Sequence, residues 1–191
     1  MKSDEQLING CKNGDRLAQR MLYDKYSRKM FGVCLRYCDK KEEAEEILQE
    51  GLLKVFQKIN DFRGDGGLEG WIRKIIVNTA LDHYRKNKNK IVEEDLKDSE
   101  STGVEPNMEL RIKDLLGIIR QLPTGFRTVF NLYAIEGYNH AEIGKLLNIS
   151  EGTSKSQYSR ARSYLIKMIE KENQGAEKKT GFEINTLINL I

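Results

Sequence analysis

Along most of this chain apolar residues recur at the three-to-four-residue spacing of amphipathic helices, and no stretch shows the strict alternation of a half-buried strand. From Leu17 to Cys38, in LAQRMLYDKYSRKMFGVCLRYC, the pattern predicts a packed helix with Leu22, Tyr26, Met30, Val33 and Tyr37 as core. A second helix is expected to start at Asp39, with Glu42 in the capping-box position, and to run through KKEEAEEILQEGLLKVFQKI. Its core stripe is Ala44, Ile47, Leu48, Leu52, Val55 and Ile59. Leu53 and Phe56 fall on or beside the polar side, among Glu46, Gln49 and Glu50. Large apolar groups among acids fit either a docking face or the ordinary scatter of surface hydrophobes.

The periodicity breaks at NDFRGDGGLEGW, where Gly64, Gly66, Gly67 and Gly70 predict a loop. The GxxxxGK[ST] spacing is absent, which excludes a P-loop. In the helix expected next, WIRKIIVNTALDHYRKNKNK, the pattern turns Ile72, Ile75, Ile76 and Ala80 inward and places Lys74, Asn78, Leu81 and Arg85 on another side. From Arg73 to Lys90 there are six Lys or Arg and one acid, Asp82. A glycine loop carrying Phe62 beside a basic helix suits a single nucleic-acid strand, which needs backbone neutralisation and an aromatic surface for stacking. A buried Phe62 beside a merely solvated helix fits the same residues.

Between Asn87 and Glu109 periodicity fades. Seven acids face three lysines there and the first proline appears at Pro106, so the segment reads as a flexible acidic linker. Periodicity returns beyond it. From Asn139 to Leu165 the sequence NHAEIGKLLNISEGTSKSQYSRARSYL reads as two capped helices across a tight turn. Asn139 and Glu142 form a capping box, and Ala141, Ile143, Leu146 and Leu147 supply the apolar side. Asn148 suits a left-handed helix end, and Ser150 caps the next helix. At about 100° per residue, Tyr158, Ala161, Leu165, Met168 and Ile169 share one sector, opposite Lys155, Ser156, Ser159, Arg160 and Ser163. Short hydroxyls permit close approach to a backbone or base edge, and cations neutralise phosphate or meet guanine acceptors. Such a pattern reads as a helix-turn-helix with a DNA-facing side; a merely solvated amphipathic helix fits the same residues.

Composition narrows the classes. The chain has 191 residues, 39% of them hydrophobic, and only two prolines, which together with the long helical periods predicts an all-α protein of two small helical domains joined by the linker. A net charge of +3, from 32 basic against 29 acidic residues, requires any nucleic-acid surface to be local. With no long apolar run and no signal-peptide pattern, a cytoplasmic location is expected. Cys11, Cys34 and Cys38 do not make a disulfide framework and read as buried or idle thiols. The carboxylates lie on helix faces and in the linker, without a paired acid and base or a ligand-spaced His/Cys/Asp cluster. Neither an enzyme nor a metal site is therefore expected, and no cofactor or small-molecule substrate.

In order and spacing, the acidic-apolar helix, the glycine loop, WIRKIIVNTA, the acidic linker, LPTGFRTVFNL and the helix-turn-helix ending in SRAR resemble the extracytoplasmic-function group of bacterial sigma factors, over about residues 6–171. The resemblance implies a promoter-specific initiation subunit whose partners are promoter DNA and the clamp and flap regions of core RNA polymerase. The alternative is a helix-turn-helix regulator acting without polymerase, which leaves the acidic-apolar helix and the glycine loop unexplained. The implied domains are residues 6–88, for docking and for recognition and melting of the minus-ten element, a linker over 89–110, a minus-thirty-five domain over 111–172, and a tail over 173–191 of unassigned role. Implied docking residues are Glu46, Gln49, Glu50, Leu53 and Phe56. Implied minus-ten residues are Phe62, Arg63, Lys74, Asn78, Asp82 and Arg85. Lys155, Ser156, Ser159 and Arg160 occupy the positions that meet the minus-thirty-five element, with Arg127 near phosphate. Members of this group are commonly held inactive by an anti-sigma protein, often membrane-bound, so such a partner is implied too.

This chain departs from the usual pattern of the group at Gly144, Asn148 and Ser154, where Ala, Gly and Val are usual, and at Ser159, where some relatives carry an aromatic. Gly144 is expected to weaken its helix by roughly 1 kcal/mol relative to Ala, and Ser154 places a polar group where packing is usual. Base preference is therefore not carried over. Outside the resemblance, Phe182, Ile184, Leu187, Ile188 and Ile191 in the tail suit a short amphipathic helix that packs locally or meets a regulator.

Overall fold

The computed structural model describes residues 3–91 and 117–175, with side chains over 3–86 and 117–170. Every regular element among the described residues is helical, as expected. The chain divides into two compact units, Met1–Glu94 and Asp95–Ile191. No helix among the described residues is long and apolar enough to cross a membrane.

In the first unit, α1 spans Asp4–Lys12, α2 Arg16–Cys34, α3 Lys41–Lys58 and α4 Leu68–Ile91. The short α1, not anticipated from periodicity, owes its start to Ser3 and Gln6, which form a reciprocal capping box. Asp15 caps α2 by accepting from the Leu17 amide at 2.8 Å. The expected Asp39 cap of α3 is corrected: the N-cap residue is Lys40, in extended backbone, and makes no side-chain cap hydrogen bond. Glu42 and Glu43 fall in the first turn, where their charge complements the positive end of the helix dipole.

The core of this unit is continuous, with Leu7, Leu22, Met30, Ile47, Val55, Ile72, Ile76 and Leu81 all fully buried. At Gly51 α3 approaches α4 so closely that a Cβ would collide with Ile76 Cδ1 and lie 3.6 Å from Ile76 Cα. The expected loop is shorter than its glycines implied. It ends at Gly67, and Gly70 lies in the first turn of α4. Gly64 (φ +82°) takes a backbone conformation that side chains rarely adopt. At its other end α4 runs through Ile91, three residues into the segment expected as linker. The remainder of that linker lies outside the described residues.

In the second unit, a helical turn over residues 117–120 leads to α5 (Thr124–Phe130), which continues as a π-helical segment, Asn131–Ile135. The widened turn closes with the Glu136 amide on the Asn131 carbonyl at 2.9 Å. Then come α6 (His140–Leu147) and α7 (Glu151–Gly175), which form the helix-turn-helix. Ile118, Ile119, Leu122, Phe130, Ala161, Leu165 and Ile169 pack together as the core. The expected capping box is present, with Asn139 Oδ1 accepting from the Glu142 amide at 2.9 Å and Glu142 Oε2 from the Asn139 amide at 2.8 Å. Ser150 Oγ accepts from the Thr153 amide at 2.9 Å. α7 extends through Gly175, so the first residues of the expected tail are helical; the rest lies outside the described residues.

Asn148 takes the left-handed conformation, φ 53° and ψ 52°, and ends α6. Gly144 has a packing reason that periodicity did not reveal. A Cβ there would stand 2.8 Å from the Ile149 carbonyl oxygen, because the turn folds back over the helix. Replacing Asn148 by Ala is expected to destabilise the second unit by about 1 kcal/mol, the cost of forcing an ordinary side chain into this backbone region, while Asn148→Gly stays neutral or better. Thermal unfolding followed by circular dichroism checks this; equal stability of the Ala variant would refute the assigned turn.

Candidate nucleic-acid interface

On α7 the structure places Lys155, Ser156, Ser159, Arg160 and Ser163 at the exposed surface, with Ala161 and Leu165 buried beneath. Several of these groups are already engaged locally. Lys155 Nζ pairs with Glu151 at 2.7 Å, Ser156 Oγ donates to the Thr153 carbonyl at 2.9 Å, and Ser163 Oγ donates to the Ser159 carbonyl at 3.1 Å. Hydroxyls folded back on their own helix leave a low surface that a DNA backbone can approach closely.

Arg127 requires a correction. Its side chain is fully buried, and Nη1 donates to the Arg120 carbonyl at 2.7 Å. It braces α5 against the preceding turn and presents no guanidinium to phosphate. The expected polar intruder at Ser154 is buried but satisfied: its Oγ lies 2.9 Å from His140 Nδ1. The His140 ring stacks on Tyr133 (centroids 4.3 Å, 11° between planes), and Tyr158 packs against both. Burial, then repulsion from Lys155, lowers the His140 pKa below its ordinary value and so favours the neutral ring that this stack contains.

In the first unit Phe62 is half-buried and packs on Trp71 with centroids 5.3 Å apart, while its carbonyl accepts from Lys12 Nζ at 3.3 Å. Arg63, Lys74 and Arg85 are exposed, and Asn78 and Asp82 are half-buried. One expectation about α4 fails. Leu81 is fully buried, because the helix packs against both α2 and α3 and its apolar arc is wider than one stripe. On α3, Glu46 and Gln49 are exposed, Leu53 is 61% exposed and Phe56 is half-buried.

Glu50 differs from its neighbours. Its Oε1 pairs with Lys54 Nζ at 2.8 Å and its Oε2 lies 2.7 Å from His83 Nε2. Lys54 Nζ also reaches Asp82 at 3.4 Å, and Arg85 holds the other Asp82 oxygen at 2.9 Å. The predicted docking residue Glu50 and the predicted strand residues Asp82 and Arg85 thus belong to one ionic network across α3 and α4. Lys54 and His83 were not singled out in the sequence. The Glu50–Lys54 spacing of four is a visible helix-pair signal, but the contacts across helices have none.

Cys11, Cys34 and Cys38 are buried and form no disulfide; burial pushes the Cys34 thiol up to about 12, and Cys38 Sγ donates to the Cys34 carbonyl at 3.2 Å. Among the described residues no group of three or more His, Cys, Asp or Glu is placed to hold a metal ion.

Two helical units, the second a helix-turn-helix with an exposed face of hydroxyls and cations, define a DNA-binding protein of the transcription-factor class. Residues 22–90 match the family described as Sigma-70 region 2, and residues 112–165 match Sigma-70, region 4, together well over half of the chain. The chain is 30% identical over 176 residues to the ECF RNA polymerase sigma factor SigW of Bacillus subtilis, covering 85% of this chain and 94% of that protein. It is 28% identical over 186 residues to the RNA polymerase sigma-H factor of Pseudomonas aeruginosa, covering 88% and 95%. In fold it is similar to the sigma factor RpoE of Bartonella quintana, solved in complex with the anti-sigma factor NepR, with a TM-score of 0.51 at 22% identity over 79% of this chain and 96% of that one. The chain belongs to the extracytoplasmic-function group of RNA polymerase sigma factors. It is a promoter-specific factor that binds core RNA polymerase, recognises minus-ten and minus-thirty-five elements and directs transcription initiation.

Hydrogen bonding from Lys54, and next from His83, pulls the Glu50 carboxyl from 4.5 down to about 2. The folded protein therefore holds this proton less readily than the unfolded chain does. The stabilisation is complete above the unfolded value and is lost as pH falls from 4.5 towards about 2. Urea midpoints of the protein and of Glu50→Gln, compared across that window, are expected to converge at the acid end. A constant gap between the two would contradict the network.

Proposed function

We propose that the two units divide promoter recognition. Residues 6–88 dock on the polymerase clamp and hold the opened minus-ten strand, and residues 111–172 read the minus-thirty-five element, with 89–110 joining them. Glu46, Gln49, Leu53 and Phe56 form the docking face. Phe62, Arg63, Lys74, Asn78 and Arg85 face the strand, where extruding a base costs a few kcal/mol that a pocket and backbone contacts must offset. Lys155, Ser156, Ser159 and Arg160 meet duplex DNA. The chain supplies no catalytic group; bond formation belongs to the polymerase, in the cytoplasm. An anti-sigma protein is a partner of the same kind as NepR is for the RpoE relative.

The observation that carries this reading is Leu53, 61% exposed on the same side of α3 as exposed Glu46 and Gln49, on the helix that packs directly against basic α4. A large apolar side chain exposed beside an acid and an amide is suited to a partner surface with an apolar notch and a polar rim.

Leu53→Asp is expected to weaken binding to purified core polymerase by about tenfold or more, as loss of a buried interface anchor does, while leaving the fold intact. Arg160→Ala is expected to weaken minus-thirty-five duplex binding by about 1–3 kcal/mol without affecting core affinity. Fluorescence titration of labelled protein with core, and of holoenzyme with duplex, measures both. Unchanged core affinity of the Leu53 variant would overturn the docking face, and unchanged duplex affinity of the Arg160 variant would overturn the role of α7.

A further inference from the structure

We propose that Lys54 is a positioning residue for promoter opening: it neutralises Asp82 on the strand-facing side of α4 and is itself held in place by Glu50 and Thr79. The inference rests on the strand-facing reading of α4 given above.

Lys54 is only 29% exposed, and its ammonium has three acceptors on two helices. Glu50 Oε1 lies at 2.8 Å on its own helix, with Thr79 Oγ1 at 3.3 Å and Asp82 Oδ2 at 3.4 Å across the interface. Thr79 is fully buried, and its hydroxyl proton goes to the Ile75 carbonyl at 2.9 Å, which orients the oxygen to accept from Lys54. Burial lowers the Lys54 pKa, but hydrogen bonding and attraction to Glu50 and Asp82 outweigh it and hold the ammonium above its ordinary value. The group is a fixed cation and not a waving surface lysine.

Its charge matters because of where Asp82 stands. Asp82 is the sole acid in the basic run from Arg73 to Lys90, half-buried on the helix that offers Lys74 and Arg85. A bare carboxylate there repels a DNA phosphate, and a partly buried pair is screened by salt less than a surface one. Arg85 engages one Asp82 oxygen at 2.9 Å and Lys54 lies beside the other. Removing Lys54 leaves Asp82 dependent on Arg85, a side chain that the strand itself would recruit. The same geometry reassigns Glu50. Both its oxygens are engaged inside the unit, so it serves the strand face through Lys54 and His83 and does not lie ready for the polymerase.

The test uses holoenzyme reconstituted from full-length protein and core polymerase. The probe is a promoter fragment taken from a start site mapped in cells overexpressing the protein, with its non-template strand unpaired across the minus-ten element. Lys54→Met is expected to weaken binding of this fragment about fivefold, while core affinity changes by less than about twofold. On an Asp82→Asn background the same substitution is expected to cost less than about twofold, because no carboxylate is left to neutralise. A role in packing alone would give an equal loss on both backgrounds or an equal loss of core affinity, and either result overturns the proposal. If Lys54→Met fails to fold, Lys54→Gln, which keeps a donor for Thr79, carries the same cycle. Wild-type holoenzyme that ignores the unpaired strand would overturn the underlying strand-face reading, and this inference with it. Tight wild-type binding with an unaffected Lys54→Met variant would overturn this inference alone.

Discussion

The first unit depends on how closely α3 approaches α4 at Gly51. With no side chain at that position, Ile76 fills the space directly against the α3 backbone, and its Cα lies 3.6 Å from where a Cβ would be. Short acidic side chains then suffice to cross between helices. Glu50 reaches His83 at 2.7 Å, and Lys54 reaches Asp82 at 3.4 Å. A wider interface would leave Asp82, with its single methylene, out of range. The exposed side chains of α3 proposed for docking and the exposed cations of α4 therefore sit on one unit, joined through the buried Ile47, Val55, Ile72 and Ile76. A factor that must keep hold of polymerase while it holds an opened strand needs such a connection between its two faces.

The second unit reaches a comparable fixity by polar means. Glycine at 144 admits the turn that returns α7 across α6, and the part-buried Ser154–His140 contact joins the two helices. A buried hydroxyl without a partner costs of the order of 1–3 kcal/mol, and His140 supplies that partner here. Tyr133 and Tyr158 then enclose the imidazole ring. The departures from the family pattern are thus not independent. Gly144 makes room for the turn, Asn148 adopts its left-handed residue, and Ser154 locks the result.

The parts legible in the sequence are those set by local chemistry. The capping box at Asn139, the left-handed Asn148 and the Ser150 cap are each decided by a few neighbouring residues, and periodicity located Leu22, Tyr26 and Met30 in the core because a helix buried on one side repeats simply. What was not legible depends on neighbours distant in the chain. Leu81 looked like part of a polar side, yet α4 is covered by two helices and has the wider apolar arc that two partners require. Arg127 was read as a phosphate contact from its charge, whereas a carbonyl seven residues away takes its guanidinium into the interior. The cap of α3 shifted from Asp39 to Lys40, a boundary that hangs on one residue's backbone angles. The ion network across α3 and α4 left no pattern at all beyond the Glu50–Lys54 spacing.

Pre-paired charge also bears on how promoter DNA is chosen. Lys155 is tied to Glu151 and Arg85 to Asp82, so on each proposed DNA face one cation must exchange one anion for another when it meets phosphate. Exchange yields less net attraction than adding a phosphate to a bare cation, and the overall charge of +3 adds little long-range pull. These pairs reduce what each proposed face gains from phosphate on its own. Affinity then comes from joining the faces: once one is engaged, the other acts at a high effective concentration, provided both sites lie at the spacing the assembly allows. That reduction makes the spacing matter more, because a duplex offering only one element holds the protein by one face alone. Lys54 fits this scheme, since it removes a repulsive carboxylate from the strand face without adding an exposed cation that would bind any DNA indiscriminately.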